Sequence, residues 1–441
     1  MTLKISYRLR VMILIYFLIL ITYLDRITIS LVGVRIKSAF HLSNTQFGWV
    51  LSAFVLAYAI FEIPTGLLGD KIGQRKVLLR IVICWSVFTA LTGAANGLMS
   101  LIIVRFLFGM GEAGAYPNST GVLSRWLPKS ETSRGMSWLG MGAPTGAALA
   151  PIIVVPLAAA YGWRAPFFVN GFLGLIWVSV CWWWFRNHPS EMKGIPAKEK
   201  EYIENNRNYI KSEHSFKWNA IIKNPMLWAL FFSYSCSQWF NYFVSAWLPT
   251  YLQEGKHFSE QQMKTTTTLV FSAGILGSFL FGFISDGMIK KRGNSFTRKM
   301  IAGVSFGIMS LAILISIQST SQLWITVSLV TSDFLLVVIV LTCFAACIEI
   351  GGDRVCSITG LMNFCGQSAA FIMSMSFGKI VDMTHNYEIP QYIMLSLLIL
   401  GGLCWLKIDA SKKIDFSPPL TPKFNQGDLL IVKTSLTEQN R

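Results

Sequence analysis

Long stretches without an ionisable side chain dominate this chain. Residues 135–163, 165–185, 265–285, 355–378 and 389–406 carry no Asp, Glu, Lys or Arg, and 300–348 carries only Asp333. A helix of ~20 apolar residues crosses a ~30 Å hydrocarbon layer, whereas elements of a water-soluble core run shorter between polar turns. With 11–31, 47–68, 77–95, 98–120 and 225–249 added, and 300–348 divided at the polar turn 318–322, the pattern predicts twelve transmembrane helices. Inside lipid every backbone N–H and C=O must be paired within its own segment, so the expected fold class is an all-α polytopic membrane protein.

The ionisable residues that remain set the orientation. Charged side chains make up only 14% of the 441 residues, which argues against a soluble enzyme, yet Lys and Arg outnumber Asp and Glu by 38 to 22. Nucleic acid is the usual partner of such an excess, but its distribution gives another reason. With the N-terminus in the cytoplasm, 30 of the 38 cations fall in the leader, the alternating loops on that side and the tail. The far side holds Arg35, Lys37, Arg164, Lys256, Lys264 and Lys379, while Arg26 and Arg105 fall inside spans. This is the positive-inside bias, so both termini are expected in the cytoplasm and no nucleic-acid partner is needed. The apolar run from Val11 to Leu24 is followed by Asp25-Arg26 and not by a small-residue cleavage site, so it is expected to persist as the first span. The 8 cysteines lie in or beside spans without a CxxC or a His partner, and no metal site or cofactor is expected.

A polar stretch separates six spans from six. The organisation expected is an N-terminal six-helix bundle over 1–186, a cytoplasmic linker over 187–224, a C-terminal six-helix bundle over 225–408 and a disordered cytoplasmic tail over 409–441. Within the linker, Pro196 followed by Ala-Lys-Glu-Lys-Glu-Tyr-Ile-Glu reads as a short surface helix. A local signature recurs in both halves: Gly66-Leu-Leu-Gly-Asp70-Lys71-Ile-Gly73-Gln-Arg75-Lys76, and later Gly282-Phe-Ile-Ser-Asp286 with Lys290, Lys291 and Arg292. Such duplication fits two bundles rocking about a central site. The first copy resembles the loop G-x-x-x-D-[RK]-x-G-[RK]-[RK] of the major facilitator superfamily, with Gln74 in place of one basic residue. A cytoplasmic gate at Gly66, Asp70, Gly73, Arg75 and Asp286 is expected, where a carboxylate and a guanidinium beside helix ends can latch one bundle to the other.

Charges at bilayer depth are expensive, about 2.5 to 3.5 kcal/mol each on insertion scales, and those that persist point to function. They are Asp25 and Arg26, Glu62, Arg105 and Glu112, and Asp333; five of the six lie in the N-terminal half. At ~1.5 Å rise per residue, Arg26 rises ~22 Å from the cytoplasmic side while Arg105 lies ~10 Å below the outer one, so the two guanidiniums reach similar depth. Glu112 follows Arg105 by two turns on nearly the same face. Two arginines beside carboxylates can hold an anion while the carboxylates exchange protons. None of the five histidines falls in a span, which leaves proton coupling to carboxylates. An anion that competes for a guanidinium removes a carboxylate's counter-ion, and so links binding to proton uptake.

Tyr23-Leu-Asp25-Arg26 and the run from Arg105 through Gly109 and Glu112 to Tyr116-Pro117 resemble the anion:cation symporter family within that superfamily. Its members include bacterial galactonate, glucarate and hexuronate permeases, sialin and the vesicular glutamate carriers. Cys347-Ile-Glu349-Ile-Gly351-Gly352 and Gly360-Leu-Met-Asn363-Phe-Cys-Gly366 resemble bacterial members. The resemblance implies that Asp25 and Glu112 carry protons, that Arg26 and Arg105 contact a substrate carboxylate, and that Tyr23 and Asn363 line the site. Gln367, one turn on, and Asn241 with Tyr242 and Gln238 in the seventh span are further candidate contacts. Two departures stand out. Galactonate-type relatives have a Gln in the fifth span near Gly142, where this chain has Gly140-Met-Gly-Ala-Pro144-Thr-Gly146. Many relatives also have Gln where Glu62 stands, which gives this chain an extra titratable group, grouped here with the proton-coupling residues.

The function expected is therefore proton-coupled uptake of a small organic anion, such as a sugar acid, by alternating access. Drug or metabolite efflux by proton antiport is the competing class, because Gly142-Ala-Pro144-Thr-Gly146 partly echoes a Gly-Pro motif of such antiporters. No spacing supports an enzyme, and the loops are too short for a catalytic domain. The short connection between the first two spans points to a bacterial inner membrane, and the family's usual state is a monomer.

Overall fold

The computed structural model describes residues 6–128, 131–206, 224–292, 294–351 and 355–409; the tail expected from 410 onward lies outside them. The N-terminal half comprises α1 (Tyr7–Leu31), α2 (Gly33–Phe40), α3 (Asn44–Ile72), α4 (Gln74–Gly93), α5 (Leu98–Glu112), α6 (Ala115–Trp126), α7 (Thr132–Tyr161) and α8 (Ala165–Trp184). The linker helix α9 (Ala197–Asn206) follows. The second half comprises α10 (Pro225–Tyr242), α11 (Glu260–Arg292), α12 (Asn294–Gln318), α13 (Gln322–Gly351), α14 (Val355–Thr384) and α15 (Ile389–Cys404). Helix α10 runs on through π-helical turns at Phe243–Trp247 and Tyr251–Gly255.

Among the described residues, eight helical stretches are long and apolar enough to cross a membrane by length and composition, one of them being α5 and α6 taken together. The other expected spans, 225–249, 265–285, 355–378 and 389–406, fall on α10, α11, α14 and α15. Large apolar side chains face outward along these helices, with Phe172 64%, Leu323 67% and Trp183 79% exposed. A surface of this kind is stable in contact with lipid and not with water. Trp182, Trp183 and Trp324 stand near helix ends, where indole rings sit at the lipid–water boundary.

The fourth expected span, 98–120, is not one helix. It breaks after Glu112, because Gly114 adopts φ +88° and restarts the chain as α6. The Asn118 amide bridges the break, donating to the carbonyls of Gly114 (2.8 Å) and Thr65 (3.2 Å). Glu112 thus ends α5 at a discontinuity inside the protein, the setting in which irregular backbone is tolerated at membrane depth.

The two halves meet along α3 against α14, α7 against α11, and α1 against the π-helical turns after α10. Closure is uneven. On the face where α1 ends and α3 begins, a single core joins Ile29, Leu31 and Phe47 to Trp247, Leu252 and Phe377. Trp247 is fully buried there, its ring 4.7 Å from that of Phe377 and its indole N–H donating to the Ser374 carbonyl. A second core, toward the face carrying the N-terminus, is built from the first half and the linker helix, with Ala370 from the other half.

The ion pairs follow the same division. Those joining the halves among the described residues are Arg35 with Glu260 at 2.7 Å and Lys37 with Glu254, both on the closed face. The Tyr387 hydroxyl also donates to Glu254. At the other end Arg8 binds Glu131 and Glu199, and Arg298 binds Glu349 at 2.9 Å, each within its half or the linker. The expected linker helix is seated this way: Arg8 lies 4.9 Å from the Tyr202 ring centroid, and Ile203 is buried in the core of the first half.

Asp382, beyond the span 355–378, caps the first turn of α3 from the opposite half. It accepts the Asn44 N–H at 3.1 Å, the Thr45 N–H at 2.7 Å and the Thr45 hydroxyl at 2.6 Å, while Ser43 and Gln46 form a capping box on the same turn. A carboxylate at a helix N-terminus satisfies orphan donors and the helix dipole together. Burial pushes the Asp382 carboxyl up, but the donors from Thr45 outweigh it and hold the group below the ordinary carboxylate range.

Two outcomes are expected. Gly114→Ala forces a Cβ into a left-handed conformation 2.6 Å from Thr65 Cγ2, and thermal unfolding of the purified protein should show a loss of roughly 1–3 kcal/mol. Asp382→Asn should weaken the closed face by about 1–2 kcal/mol, lengthening the distance between spin labels at the exposed Tyr161 and Met383. Because the Asp382 pKa is depressed in the closed form, its contribution is fully present above about pH 4 and is lost as pH falls through the lowered value, so acid should lengthen the same distance in the parent protein and not in the variant.

Candidate functional site

Helices α1, α3 and α5 bring the membrane-depth charges of the first half together. Arg26, on α1, donates through Nε to Glu112 Oε1 at the end of α5. Its guanidinium lies 4.5 Å from the Tyr58 ring centroid, 5.0 Å from that of Tyr23 and 5.2 Å from that of Phe54. Glu112 is fully buried and Arg105 3% exposed. The Arg105 guanidinium sits 5.0 Å from Phe54 and 4.5 Å from Phe108, so Phe54 stands with its ring shared by two guanidiniums. Each guanidinium is attracted to the negative face of the ring. Phe54 and Tyr58 carry no signal along the chain, since an aromatic ring on a span is ordinarily packing; only the helix crossing reveals them.

Asp25 is 1% exposed and turns the other way from its neighbour Arg26, toward α4, where the Thr89 hydroxyl stands 3.5 Å from Oδ2. Asn170 on α8 closes this side and donates to Thr28 at 2.8 Å. Asp25 Oδ1, Glu112 Oε2 and Arg105 Nε have no hydrogen-bond partner within the protein. Three buried polar atoms of opposite charge therefore retain capacity for a proton or an anion.

The second half supplies neutral groups. The Tyr242 hydroxyl donates to Gln367 at 2.8 Å, the Tyr234 hydroxyl to Asn363 at 3.2 Å, and the Asn241 amide to Gln238 at 3.2 Å. Tyr242 lies within electrostatic reach of Arg26, which brings this half to the charged cluster. Tyr234 is a site residue that the sequence did not single out. A cavity of about 340 Å³ opens between α3, α6 and α14, and its polar lining is Glu62, Gln74, Asn118, Asn363 and Gln367. Glu62 is partly exposed at its wall, one turn from Tyr58 and within electrostatic reach of Arg26.

Other expected residues lie elsewhere. Asp333 is buried in the second half beside Gly274 and toward Pro144 of α7, away from the Arg26 cluster. At the expected cytoplasmic gate, Gly66 lines the cavity and Gly73 adopts φ +91° between α3 and α4. Arg75 bonds within its own half and the start of the linker: its N–H donates to Asn187 at 2.8 Å and its guanidinium to the Trp182 carbonyl at 2.6 Å. The latch from Arg75 to the other bundle is thus not what its contacts form, because a guanidinium beside free carbonyls at a helix C-terminus finds acceptors locally. The side chains of Asp70 and Asp286 lie outside the described ones. His41, His257 and His385 take left-handed backbone conformations at turns, outside the helices. Among the described residues no group of three metal-ligating side chains occurs.

Comparison with known proteins agrees with this architecture. The chain is 30% identical over 410 residues to a "Probable sulfoacetate transporter" of Cupriavidus necator, covering 92% of this chain and 94% of that one. It is 29% identical over 394 residues to a hexuronate transporter of Bacillus subtilis, with 87% and 89% covered. It is 26% identical over 400 residues to a "Probable L-galactonate transporter" of Escherichia coli, with 90% and 88% covered. Among solved structures, a bacterial homologue of the human lysosomal transporter Spinster, inward-facing and unoccupied, superposes with a TM-score of 0.75 at 16% identity, covering 94% of this chain and 99% of that one. These relatives are transporters and not enzymes. The Major Facilitator Superfamily profile matches residues 15–374, and the chain belongs to that family.

Proposed function

We propose that this protein takes up a small organic anion together with protons, by alternating access of a site around Arg26. The observation that carries the reading is Arg26 itself: a guanidinium at membrane depth, bound by the buried Glu112 and walled by three aromatic rings. The relatives named for sulfoacetate, galactonate and hexuronate support an organic anion as the cargo. Twelve spans, two bundles divided near 187–224 and cytoplasmic termini belong to the same reading, with the cavity opening toward the cytoplasm.

An incoming carboxylate or sulfonate competes with Glu112 for Arg26. Once displaced, Glu112 is an uncompensated charge in a buried setting, and protonation is the less costly outcome. Arg105, behind Phe54, raises the potential of the whole cluster, and Asp25 beside it offers a second protonation point. Charge entering with the anion is thereby matched by protons, which allows the loaded site to cross between faces without a net buried ion. Tyr23, Asn363, Gln367 and Asn241 line the route and offer hydroxyl or amide partners to the rest of the cargo.

Proteoliposome uptake of labelled galactonate and hexuronate tests this. An inward proton gradient should accelerate entry at least severalfold, and Arg26→Ala should abolish it; entry indifferent to the gradient, or intact in Arg26→Ala, contradicts the proposal. Phe54→Leu keeps the bulk but removes the ring that both guanidiniums share. With each cation–π contact contributing about 0.5–2 kcal/mol, uptake by this variant should fall about tenfold or more while its unfolding midpoint moves by only a few degrees.

A further inference from the structure

Glu62 differs in position from the other carboxylates. Asp25 and Glu112 are fully buried behind Arg26 and Arg105, whereas Glu62 stands at the wall of the cavity, and among the described residues the cavity lining contains no Lys or Arg. It lies one helical turn from Tyr58, the ring against which the Arg26 guanidinium stacks, and a turn of α-helix advances ~5.4 Å. An anion held by Arg26 and extended into the cavity therefore brings its far end to the level of Glu62, among the amides of Asn363, Gln367 and Asn118.

We propose that Glu62 sets the charge class of the cargo: the site takes a monoanion whose far end is neutral and hydroxyl-bearing, and rejects a dianion with a second acidic group there. This rests on the organic-anion reading above and adds to it. Arg26 is the cation within electrostatic reach of Glu62. When the head group of the cargo occupies Arg26, that compensation is shared away, and a second anionic group would meet a carboxylate where the described part of the cavity wall holds amides and no cation. Like charges at this spacing in a low-dielectric site repel strongly, while a hydroxyl finds both donors and acceptors among the amides. The sequence expectation grouped Glu62 with the proton carriers; its place on the wall, facing the open volume, gives it contact with the cargo instead.

The test uses two pairs of probes, each sharing one carbon skeleton and differing at the far carbon: galactonate against galactarate, and 2-hydroxyethanesulfonate against sulfoacetate. Binding of each to the purified full chain is measured by ligand-induced thermal stabilisation at pH 7. The wild-type protein should hold the hydroxymethyl member of each pair at least tenfold more tightly, a comparison that needs no variant. In Glu62→Gln the ratio within each pair should shift toward the dianion by about tenfold, and in Glu62→Asp it should not. Equal or tighter binding of the dianions by the wild type, or an unchanged ratio in Glu62→Gln, overturns the assignment while leaving the organic-anion reading intact. If none of the four probes binds while Arg26→Ala and wild type behave alike, the reading on which it rests falls, and this inference with it.

Discussion

The contact of Arg26 with Glu112 is the constraint around which the first half is arranged. A guanidinium and a carboxylate at membrane depth are each costly alone, and their pairing is secure only where the surrounding helices hold the geometry. Three elements contribute. Helix α1 carries Arg26, α3 presents Phe54 and Tyr58 against it, and the break at Gly114 ends α5 at Glu112. The Phe54 ring lies against both Arg26 and Arg105, and Glu112 stands within electrostatic reach of both guanidiniums. The exchange proposed for this site needs this kind of poise: stable enough to fold, and close enough to balance that an incoming anion would change which partner Arg26 keeps.

The seam between the halves is uneven. One face is sealed by Trp247, Phe47 and Phe377, by Arg35 and Lys37 on their partners, and by Asp382 on the first turn of α3. These contacts are polar and charge-assisted over a small aromatic plug, so they can part into water at modest cost. Nearer the N-terminus the ion pairs stay within each half or bind the linker helix. Arg35 with Glu260 and Lys37 with Glu254 thus tie the halves at one end, an arrangement that supports the rocking proposed above.

The legible part of the site was the part written in charge. Asp25, Arg26, Glu62, Arg105 and Glu112 stand out in a sequence because ionisable residues on apolar spans are rare; depth along the spans set Arg26 level with Arg105, and the structure gives Arg26 Glu112 as its hydrogen-bond partner. Phe54, Tyr58 and Tyr234 were not legible, because aromatic residues are common on spans and their role depends on which helix crosses opposite. Asp333 shows the reverse: it carries the same signal as the others but lies beside Gly274, apart from the cluster. Arg75 shows that a motif residue's partner is set by what lies nearest, here the Trp182 carbonyl.

By itself the sequence determined that this chain is helical and lies in a membrane, which charges are buried at depth and, through its cation bias, how it is expected to be oriented. Those properties follow from one-dimensional patterns, since lipid admits only segments that satisfy their own backbone and tolerates few ions. Tertiary structure alone decided that the fourth span breaks after Glu112, that Phe54 serves two guanidiniums, and that Asp382 crosses to cap α3. It also turned Glu62 toward open volume and Asp25 toward Thr89. These depend on crossing angles and on the azimuth of each side chain about its helix, which arise from packing between segments far apart in the chain and leave no mark on any single segment.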